Sequence, residues 1–598
     1  MYSDSSAAAH IIEQRVLNDV VIRLAGNSQD GIQTIGGLLA RLAGRAQQYV
    51  ETYMTIPSTI SGGPSIFQVH LGSGEIFTAG DEVDLLVAFY QHSFDSHLKS
   101  LKEGGICIYD TAEVTPNFED KRFQYVGVPI ASATIEAIGG SARDKGKNMF
   151  VLGLLCALFQ LDKEKLVSIV NQQFGKKGKE GAMRNAMLAF DCGYAYELGP
   201  EVLKHSMHPG KADGEHRIST DGTQMLVCGL LAAGVRYGAG YPITPWSGVM
   251  ESLRVELPKY GGMFVQTEDE LAAISMAIGA AYAGHLVMTG SSGPGISLKM
   301  EALGYATMAE IPLILVNVQR GGPSTGLPTS VEQSDLMQAI YGSHGDNPRI
   351  VLAPKNVEDC FYIALEAGRL ARECSCPVII LADQALATRI EAFHEPDLDK
   401  HWKDPELDLT PRPADFKPYP LDAVTRHAPP GTKMLGGQYP VSTGLEHDEW
   451  GHPAGSPELH TKMTAKRRNK LVNLAKTLPV PTINGAGEGD VLIVGWGSTY
   501  GPIAEATERL TAEGHAVSSL HLRHLNPLPP GLAEIFARFR QVVVVEMNDY
   551  GLYGFGQMAM LLRASICNPN ITSLCKTDGL TFKVREIVSH IEKTMAKA

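Results

Sequence analysis

Four side chains in the middle of the chain, Thr244, Glu270, Arg320 and Thr329, are of types that bind anions or handle protons, and each stands where the backbone is stiffened or freed by proline or glycine. Pro242 and Pro245 fix φ on either side of Thr244 and hold the preceding residues extended, so its hydroxyl is presented from a stiff turn at a strand end. A plain structural turn would read the same way. Glu270 closes the acidic triplet Glu268-Asp269-Glu270 and opens a helical pattern over 267–283, whose small positions Ala273, Ala277, Ala280 and Ala281 allow close packing on a neighbour. A carboxylate there is a candidate acid–base group, but Thr267-x-x-Glu270 also reads as a capping box, with Glu268 and Asp269 complementing the helix dipole. Arg320 ends the apolar run Leu313–Gln319 and enters a loop of three glycines and two prolines before Thr329. Its guanidinium fork matches the two oxygens of a carboxylate; a surface or interdomain salt bridge is the competing reading. Ser292-Gly293-Pro294-Gly295 lies between the strand pattern Leu286–Thr289 and the helical run Ile296–Leu303, where small residues admit a flat ring or a neighbouring backbone. Such Gly-rich strand-to-helix turns are common, and His344-Gly345-Asp346 is assigned no role.

The elements that must position these residues alternate between periods of two and 3.6. Strand patterns at 18–26, 67–71, 85–89 and 106–109, with helical patterns at 34–48 and 147–160, make residues 1–204 an α/β domain. A polar stretch, 205–220, carrying Pro209-Gly210 and three histidines, reads as a solvated linker with the boundary near residue 215. Over 221–390 the strands 264–266, 286–289, 313–319, 350–353 and 378–382 alternate with helical patterns, which implies a parallel sheet covered on both faces. Residues 391–480 are Pro- and His-rich and read as an extended connector, closed by a helical run over 458–476. Strands at 491–496, 516–522 and 542–547 mark a third α/β domain, 481–598.

The bulk numbers fit that division. A chain of 598 residues exceeds what one hydrophobic core serves. Hydrophobic content of 44% with 20% charged residues suits a soluble globular protein rather than a disordered one. The net charge of -13 gives no general attraction to nucleic acid or anionic membranes. Residues 1–14 lack a basic leader region and the apolar run 150–161 is too short to span a bilayer, so the expected location is cytoplasmic. Nine cysteines fit no common zinc or iron–sulfur spacing; they read as reduced, mostly buried thiols, and no metal site is expected.

The ordered set Tyr241-Pro242-Ile243-Thr244-Pro245, Glu270 with Gly279 nine residues on, Ser291-Ser292-Gly293-Pro294-Gly295 and Arg320 to Thr329 resembles the 2-oxoacid:ferredoxin oxidoreductases. The match is to the subunit that carries the thiamine-pyrimidine half-site. It runs from about residue 18 to 591, is strongest over 238–347, and is most like the fused γα arrangement of the 2-oxoglutarate-specific branch. The resemblance implies three α/β domains: a γ-like domain, a thiamine pyrimidine-binding parallel-sheet domain, and a transketolase C-terminal-like domain. It also implies roles: Glu270 catalytic, at the pyrimidine ring nitrogen, with Glu268 the other candidate; Thr244 catalytic and substrate-binding, at the 2-oxoacid or the cofactor-bound intermediate; Arg320 and Thr329 at the substrate's carboxylate; Ser292, Gly293, Pro294 and Gly295 lining the thiamine site.

The chain has no Gly-Asp-Gly followed some thirty residues on by Asn-Asn, the pattern that holds the metal diphosphate of thiamine enzymes. Half a cofactor site implies a separate β subunit carrying Mg2+ and an iron–sulfur cluster (4Fe-4S), in an α2β2 assembly. The implied reaction is oxidative decarboxylation of 2-oxoglutarate to succinyl-CoA, with coenzyme A as co-substrate and ferredoxin as acceptor; the reverse carboxylation would fix carbon. Indolepyruvate, pyruvate or a broad range of 2-oxoacids are alternative substrates, and a non-catalytic scaffold is the alternative from another class. The turns at 26–31 and 62–65 fall where the γ region has Gly-rich turns, yet Asn27-Ser28, Ser61 and Asp221-Gly222-Thr223-Gln224 depart from the usual residues.

Overall fold

The computed structural model describes residues 15–57, 63–139, 146–174, 180–199, 202, 205–210 and 216–596. The chain separates into two compact units, Met1–Ser219 with Ile390–Glu395, and Thr220–Arg389 with Pro396–Ala598.

The first unit is built on a mixed eight-stranded sheet in the order Gln124–Val128, Leu101–Asp110, Val83–Ala88, Asp19–Asn27, Pro64–Gly72, Tyr49–Met54, Ile390–His394, Arg217–Asp221. The first four are mutually parallel, while Pro64–Gly72 runs antiparallel to both of its neighbours. Helix Ile32–Arg45 lays Ile35, Leu38, Leu39 and Leu42 into a core shared with Leu24, Phe67 and Val69. The Gly-rich turn expected at 26–31 is closed by its own acid: Asp30 accepts the Asn27 N–H and the Tyr90 hydroxyl, and Gly31 has φ 71. Of the second turn, Ser61 and Gly62 lie outside the described residues, as does the boundary expected near 215. The stretch expected as a solvated linker contains two strands, His205–Met207 parallel to Arg15–Leu17, and Arg217–Asp221 at the edge of the large sheet. Three-residue pairings of mixed polarity carry no alternation that a sequence pattern would register.

The second unit holds two sheets. One has seven strands in the order Met263–Gln266, Tyr237–Gly240, Val287–Ser291, Leu313–Gln319, Pro377–Asp383, Ile350–Leu352, His524–Asn526, all parallel except the last. The other has five, Ile483–Asn484, Val517–Leu522, Gly489–Trp496, Phe539–Glu546, Ile571–Cys575, parallel except the first. A single core runs through both, from Ile274, Leu313 and Ile379 to Val494, Trp496 and Val542. Continuous apolar strands such as Leu313–Gln319 are buried along their whole length, which is what helices on both faces of a parallel sheet require. Tyr237–Gly240 is the exception: a strand of sequence YGAG with no β-forming pattern. A Cβ at Gly238 would sit 2.6 Å from the Phe264 ring and one at Gly240 3.2 Å from Trp246, so neighbouring aromatic rings occupy the space that side chains would take.

The connector folds onto the second unit. Its closing helix, Pro457–Thr477, is capped by Ser456 and buries Lys466 and Lys470 against Glu310, while Arg467 grips Glu446. His427 Nε2 meets the Tyr282 carbonyl at 2.8 Å. All nine cysteines are free. Among the described residues no cluster of three or more His, Cys, Asp or Glu side chains is arranged to hold a metal ion, and no helix is long and apolar enough to cross a membrane.

Candidate functional site

Four adjacent strands of the seven-stranded sheet, Met263–Gln266, Tyr237–Gly240, Val287–Ser291 and Leu313–Gln319, end on one side. Each delivers one of the candidates there: Glu270, Thr244, Ser292 and Arg320 follow their C-terminal ends. From Tyr237–Gly240 the chain crosses to the strand on one side, and from Val287–Ser291 to the strand on the other. This reversal opens the crevice in which open parallel sheets bind their ligands.

Glu270 is not a capping residue. The N-cap of helix Glu270–Tyr282 is Asp269, extended at φ -158 and ψ 177, whose carboxylate accepts the Ala272 N–H at 2.7 Å. Thr267, which the capping-box reading needs at that place, donates its hydroxyl to the Asp269 carbonyl at 2.8 Å instead. The helix therefore starts three residues later than its sequence pattern, and the Glu270 side chain is released from backbone duty. It is buried at 7% exposure and takes no side-chain hydrogen bond among the described residues.

Gly295 explains where that carboxylate lies. Ser292 is the N-cap position of helix Gly293–Met308, so Gly293, Pro294 and Gly295 form the helix's first turn rather than a loop before it, with proline where a missing N–H costs nothing. A Cβ on Gly295 would come within 2.5 Å of Glu270 Oε1, 2.9 Å of Glu270 Cγ and 2.0 Å of Ser291 Oγ. The glycine leaves the groove in which the glutamate rests.

Arg320 is 5% exposed, and its Nη1 donates to the Thr244 carbonyl at 2.6 Å. The two residues are thus brought together, with the Thr244 side of the turn exposed. Burial lowers the guanidinium pKa from its ordinary value, against the attraction of Asp335. Arg320 is not the surface salt bridge that its type and position also allowed. Gly321 donates to the Ser330 carbonyl at 3.1 Å, so the Gly-rich loop closes on itself and returns half-buried Thr329 to the residue beside that pair.

Further polar groups complete the crevice, and the sequence did not single them out. Asn317, on the strand that ends in Arg320, donates to Asp335 Oδ2 at 2.9 Å. Asp335 faces Gly293 at 3.7 Å from its ideal Cβ, and burial raises its pKa. Lys299, one turn beyond Gly295, is fully buried and donates to the Glu270 carbonyl at 2.9 Å and to Thr289 Oγ1 at 3.2 Å. Its only sequence signal is a lysine on the same helical face as Gly295 and among Ile296, Met300 and Leu303.

Several of these atoms lack partners. Ser291 Oγ, Ser292 Oγ, Asn317 Oδ1, Trp246 Nε1 and Arg320 Nε are buried without a hydrogen bond among the described residues. Buried polar atoms left unpaired are costly, and a cluster of them at strand ends marks a place where a polar ligand completes the bonding. Together with a donor-free carboxylate against a glycine, they suit a flat, nitrogen-bearing ring such as an aminopyrimidine.

Comparison with known proteins agrees with that chemistry. Residues 228–466 match the family model described as "Pyruvate flavodoxin/ferredoxin oxidoreductase, thiamine diP-bdg". Residues 21–196 match "Pyruvate ferredoxin/flavodoxin oxidoreductase" and 489–587 match "Pyruvate:ferredoxin oxidoreductase core domain II". The chain is similar to the 2-oxoglutarate oxidoreductase subunit KorA of Mycobacterium tuberculosis, 35% identical over 99% of this chain and 94% of that one. It is 31% identical to subunit alpha of 2-oxoacid:ferredoxin oxidoreductase 1 of Aeropyrum pernix, over 89% of this chain and 91% of that one. Among solved structures it resembles the 2-oxoglutarate:ferredoxin oxidoreductase of Magnetococcus marinus, with 2-oxoglutarate, coenzyme A and succinyl-CoA bound. That likeness has a TM-score of 0.87 at 33% identity and covers 97% of this chain and 100% of that one.

Proposed function

Because the chain belongs to the 2-oxoacid:ferredoxin oxidoreductase family, we propose that it is the α subunit of a 2-oxoglutarate:ferredoxin oxidoreductase, holding the pyrimidine half of a thiamine diphosphate site. The reaction is oxidative decarboxylation of 2-oxoglutarate to succinyl-CoA, with electrons leaving to ferredoxin. The observation that carries the reading is the Glu270 carboxylate, buried, without a side-chain donor among the described residues and seated against Gly295. Residues 1–204 are then the γ-like domain, 205–220 the linker, 221–390 the thiamine-binding domain, 391–480 the connector and 481–598 the transketolase C-terminal-like domain.

Thiamine diphosphate, when bound, supplies the nucleophilic carbon and the sink for electrons freed as carbon dioxide leaves. The residues of this chain bind, orient and move protons around it. Glu270 holds a proton at Oε1 or Oε2 toward a ring nitrogen, a role in which a positioned carboxyl contributes about 10²–10⁴-fold. Ser292, Gly293, Pro294 and Gly295 would line the cofactor's place, and the Ser291 and Ser292 hydroxyls and Asn317 Oδ1 would be free to bond it. Arg320 keeps Nε unpartnered for the 2-oxoacid carboxylate, while Nη1 holds the Thr244 turn in place. Thr244 and Thr329 add hydroxyls at the crevice mouth.

The outer face of the Glu270 helix supports a partner. Leu271 is 51% exposed and Met276 40%, with Leu298 at 49% on the helix beside it. Large apolar side chains left open on the helices of a half-built site suit a surface that a partner covers. The partner is a β subunit bringing Mg2+ and an iron–sulfur cluster, in an α2β2 assembly located in the cytoplasm. A scaffold without chemistry would have no use for the intact quartet Thr244, Glu270, Arg320 and Thr329. Co-purification with the β subunit, followed by methyl viologen reduction with 2-oxoglutarate, pyruvate and indolepyruvate in parallel, tests the assignment. Preference for 2-oxoglutarate is expected; equal or greater turnover of another 2-oxoacid reassigns the substrate, and no turnover of any rejects the reading.

A further inference from the structure

We propose that Lys299 is a positioning residue for Glu270: from a wholly buried place its ammonium anchors the first residue of the Glu270 helix and so holds the carboxylate in its place against Gly295. The inference rests on the reading of Glu270 as the proton-handling residue of the thiamine site.

The geometry is specific. Lys299 and Gly295 are four residues apart on helix Gly293–Met308 and so share the face turned toward Glu270. Gly295 makes room for the carboxylate, and Lys299 Nζ reaches the same residue's main-chain oxygen at 2.9 Å. Its second bond, 3.2 Å to Thr289 Oγ1, ties the helix start to strand Val287–Ser291.

Neither bond is demanded by the backbone. The Glu270 carbonyl opens a helix and already accepts the N–H four residues on. The Thr289 hydroxyl already donates to the Ala239 carbonyl at 2.8 Å. Burying an ammonium is among the most expensive things a protein interior can do, and among the described residues no carboxylate forms a direct ion pair with it. A methionine would fill the same space without that cost. What a methionine would lack is charge.

The charged groups that face Lys299 are Glu270 and Asp269, both at the start of the Glu270 helix. Strand Val287–Ser291 contributes the uncharged Thr289, and the lysine's own helix contributes no charge to it. Burial lowers the lysine pKa to about 7, against the pull of the two acids. The cation is therefore present below pH 7, where its charge strengthens the bond to the Glu270 carbonyl, and absent well above it.

The test uses the assembled two-subunit enzyme, with thiamine diphosphate and Mg2+ titrated in at pH 6 and pH 9 and binding read from near-ultraviolet circular dichroism. Lys299→Met should melt within a few degrees of the wild type and bind about tenfold more weakly at pH 6, the difference closing to about twofold or less at pH 9. Lys299→Gln keeps a donor without the charge, and should recover part of the affinity at pH 6 while losing the wild type's pH dependence. If Lys299→Met does not fold, the pH dependence of Lys299→Gln decides alone. Wild-type binding by both variants at both pH values overturns the proposal, and so does an equal weakening at pH 6 and pH 9. A wild type that binds no thiamine diphosphate instead overturns the reading of the site on which the inference stands.

Discussion

At the residue scale the site is decided by which groups are left without partners. Glu270 is freed because Asp269 takes over the N-cap, and it is housed because residue 295 has no side chain. Gly295→Ala should therefore behave against its helix propensity. Alanine is the better helix former by about 1 kcal/mol, yet its methyl would collide with Glu270 Oε1 and Ser291 Oγ. The expected outcome is a loss of thiamine diphosphate affinity of at least about tenfold in a protein whose far-ultraviolet circular dichroism is unchanged. Arg320→Ala removes a charged hydrogen-bonding group worth about 1.5–3 kcal/mol. It should raise KM for every 2-oxoacid by about tenfold or more; because Nη1 also holds the Thr244 carbonyl, kcat should fall as well. A KM unchanged across substrates would remove Arg320 from the carboxylate site. Lys299 adds a linkage. Its folded pKa of about 7 lies below the ordinary lysine value of 10.5, so the folded state binds fewer protons than the unfolded between those values. Wild-type stability should rise relative to Lys299→Met as pH increases from 7 toward 10. Thermal melts across that range check the sign, and a parallel pair of curves would show that the lysine is not held where the structure puts it.

At the element scale the sheet does the positioning, and its legibility in the sequence follows from how each strand earns its place. Leu313–Gln319 is readable to both ends because all seven residues are buried and five of them, Leu313 to Val316 and Val318, are apolar. Tyr237–Gly240 was not, since its glycines are selected by the Phe264 and Trp246 rings that lie across them. His524–Asn526 was hidden for another reason: three residues before Pro527 read as a breaker, and only its antiparallel register with Ile350–Leu352 makes it a strand. The helix starts were displaced by cap chemistry, with Asp269 rather than Thr267 beginning one helix and Ser292 rather than Gly295 the other. Lys299, Asn317 and Asp335 were invisible as site residues because their meaning lies in what they face across strands. The connector helix Pro457–Thr477 is fixed by a buried acid, Glu310, between Lys466 and Lys470. Glu310→Gln would leave two buried ammonium groups without their counter-charge, costing about 3–5 kcal/mol. A clear drop in the thermal midpoint is expected, with kcat of the surviving folded enzyme unchanged.

At the scale of the whole molecule one core of the second unit runs through both of its sheets, and the polar seam between them is built around Gln333. That side chain donates to the Trp496 carbonyl at 2.8 Å and accepts the Met547 N–H at 3.1 Å, while Asn548 donates to its carbonyl at 3.1 Å. The strand ends of the five-stranded sheet are thereby tied to the segment that carries Glu332 and Asp335, directly behind the crevice. Leu271 and Met276 on helix Glu270–Tyr282 and Leu298 on helix Gly293–Met308 are exposed. A half-site of this form predicts that the chain alone binds thiamine diphosphate at least about tenfold more weakly than the two-subunit enzyme does. Isothermal titration of each with the cofactor and Mg2+ measures the difference, and equal affinities would mean that one chain holds the whole cofactor. The central claim is that the Glu270 carboxylate handles the proton at the pyrimidine ring. Its most direct test is 2-oxoglutarate-dependent methyl viologen reduction by the co-purified enzyme carrying Glu270→Gln. A fall in kcat of about 10²–10⁴-fold with assembly and thermal midpoint preserved is the predicted result; turnover close to that of the wild type would contradict it.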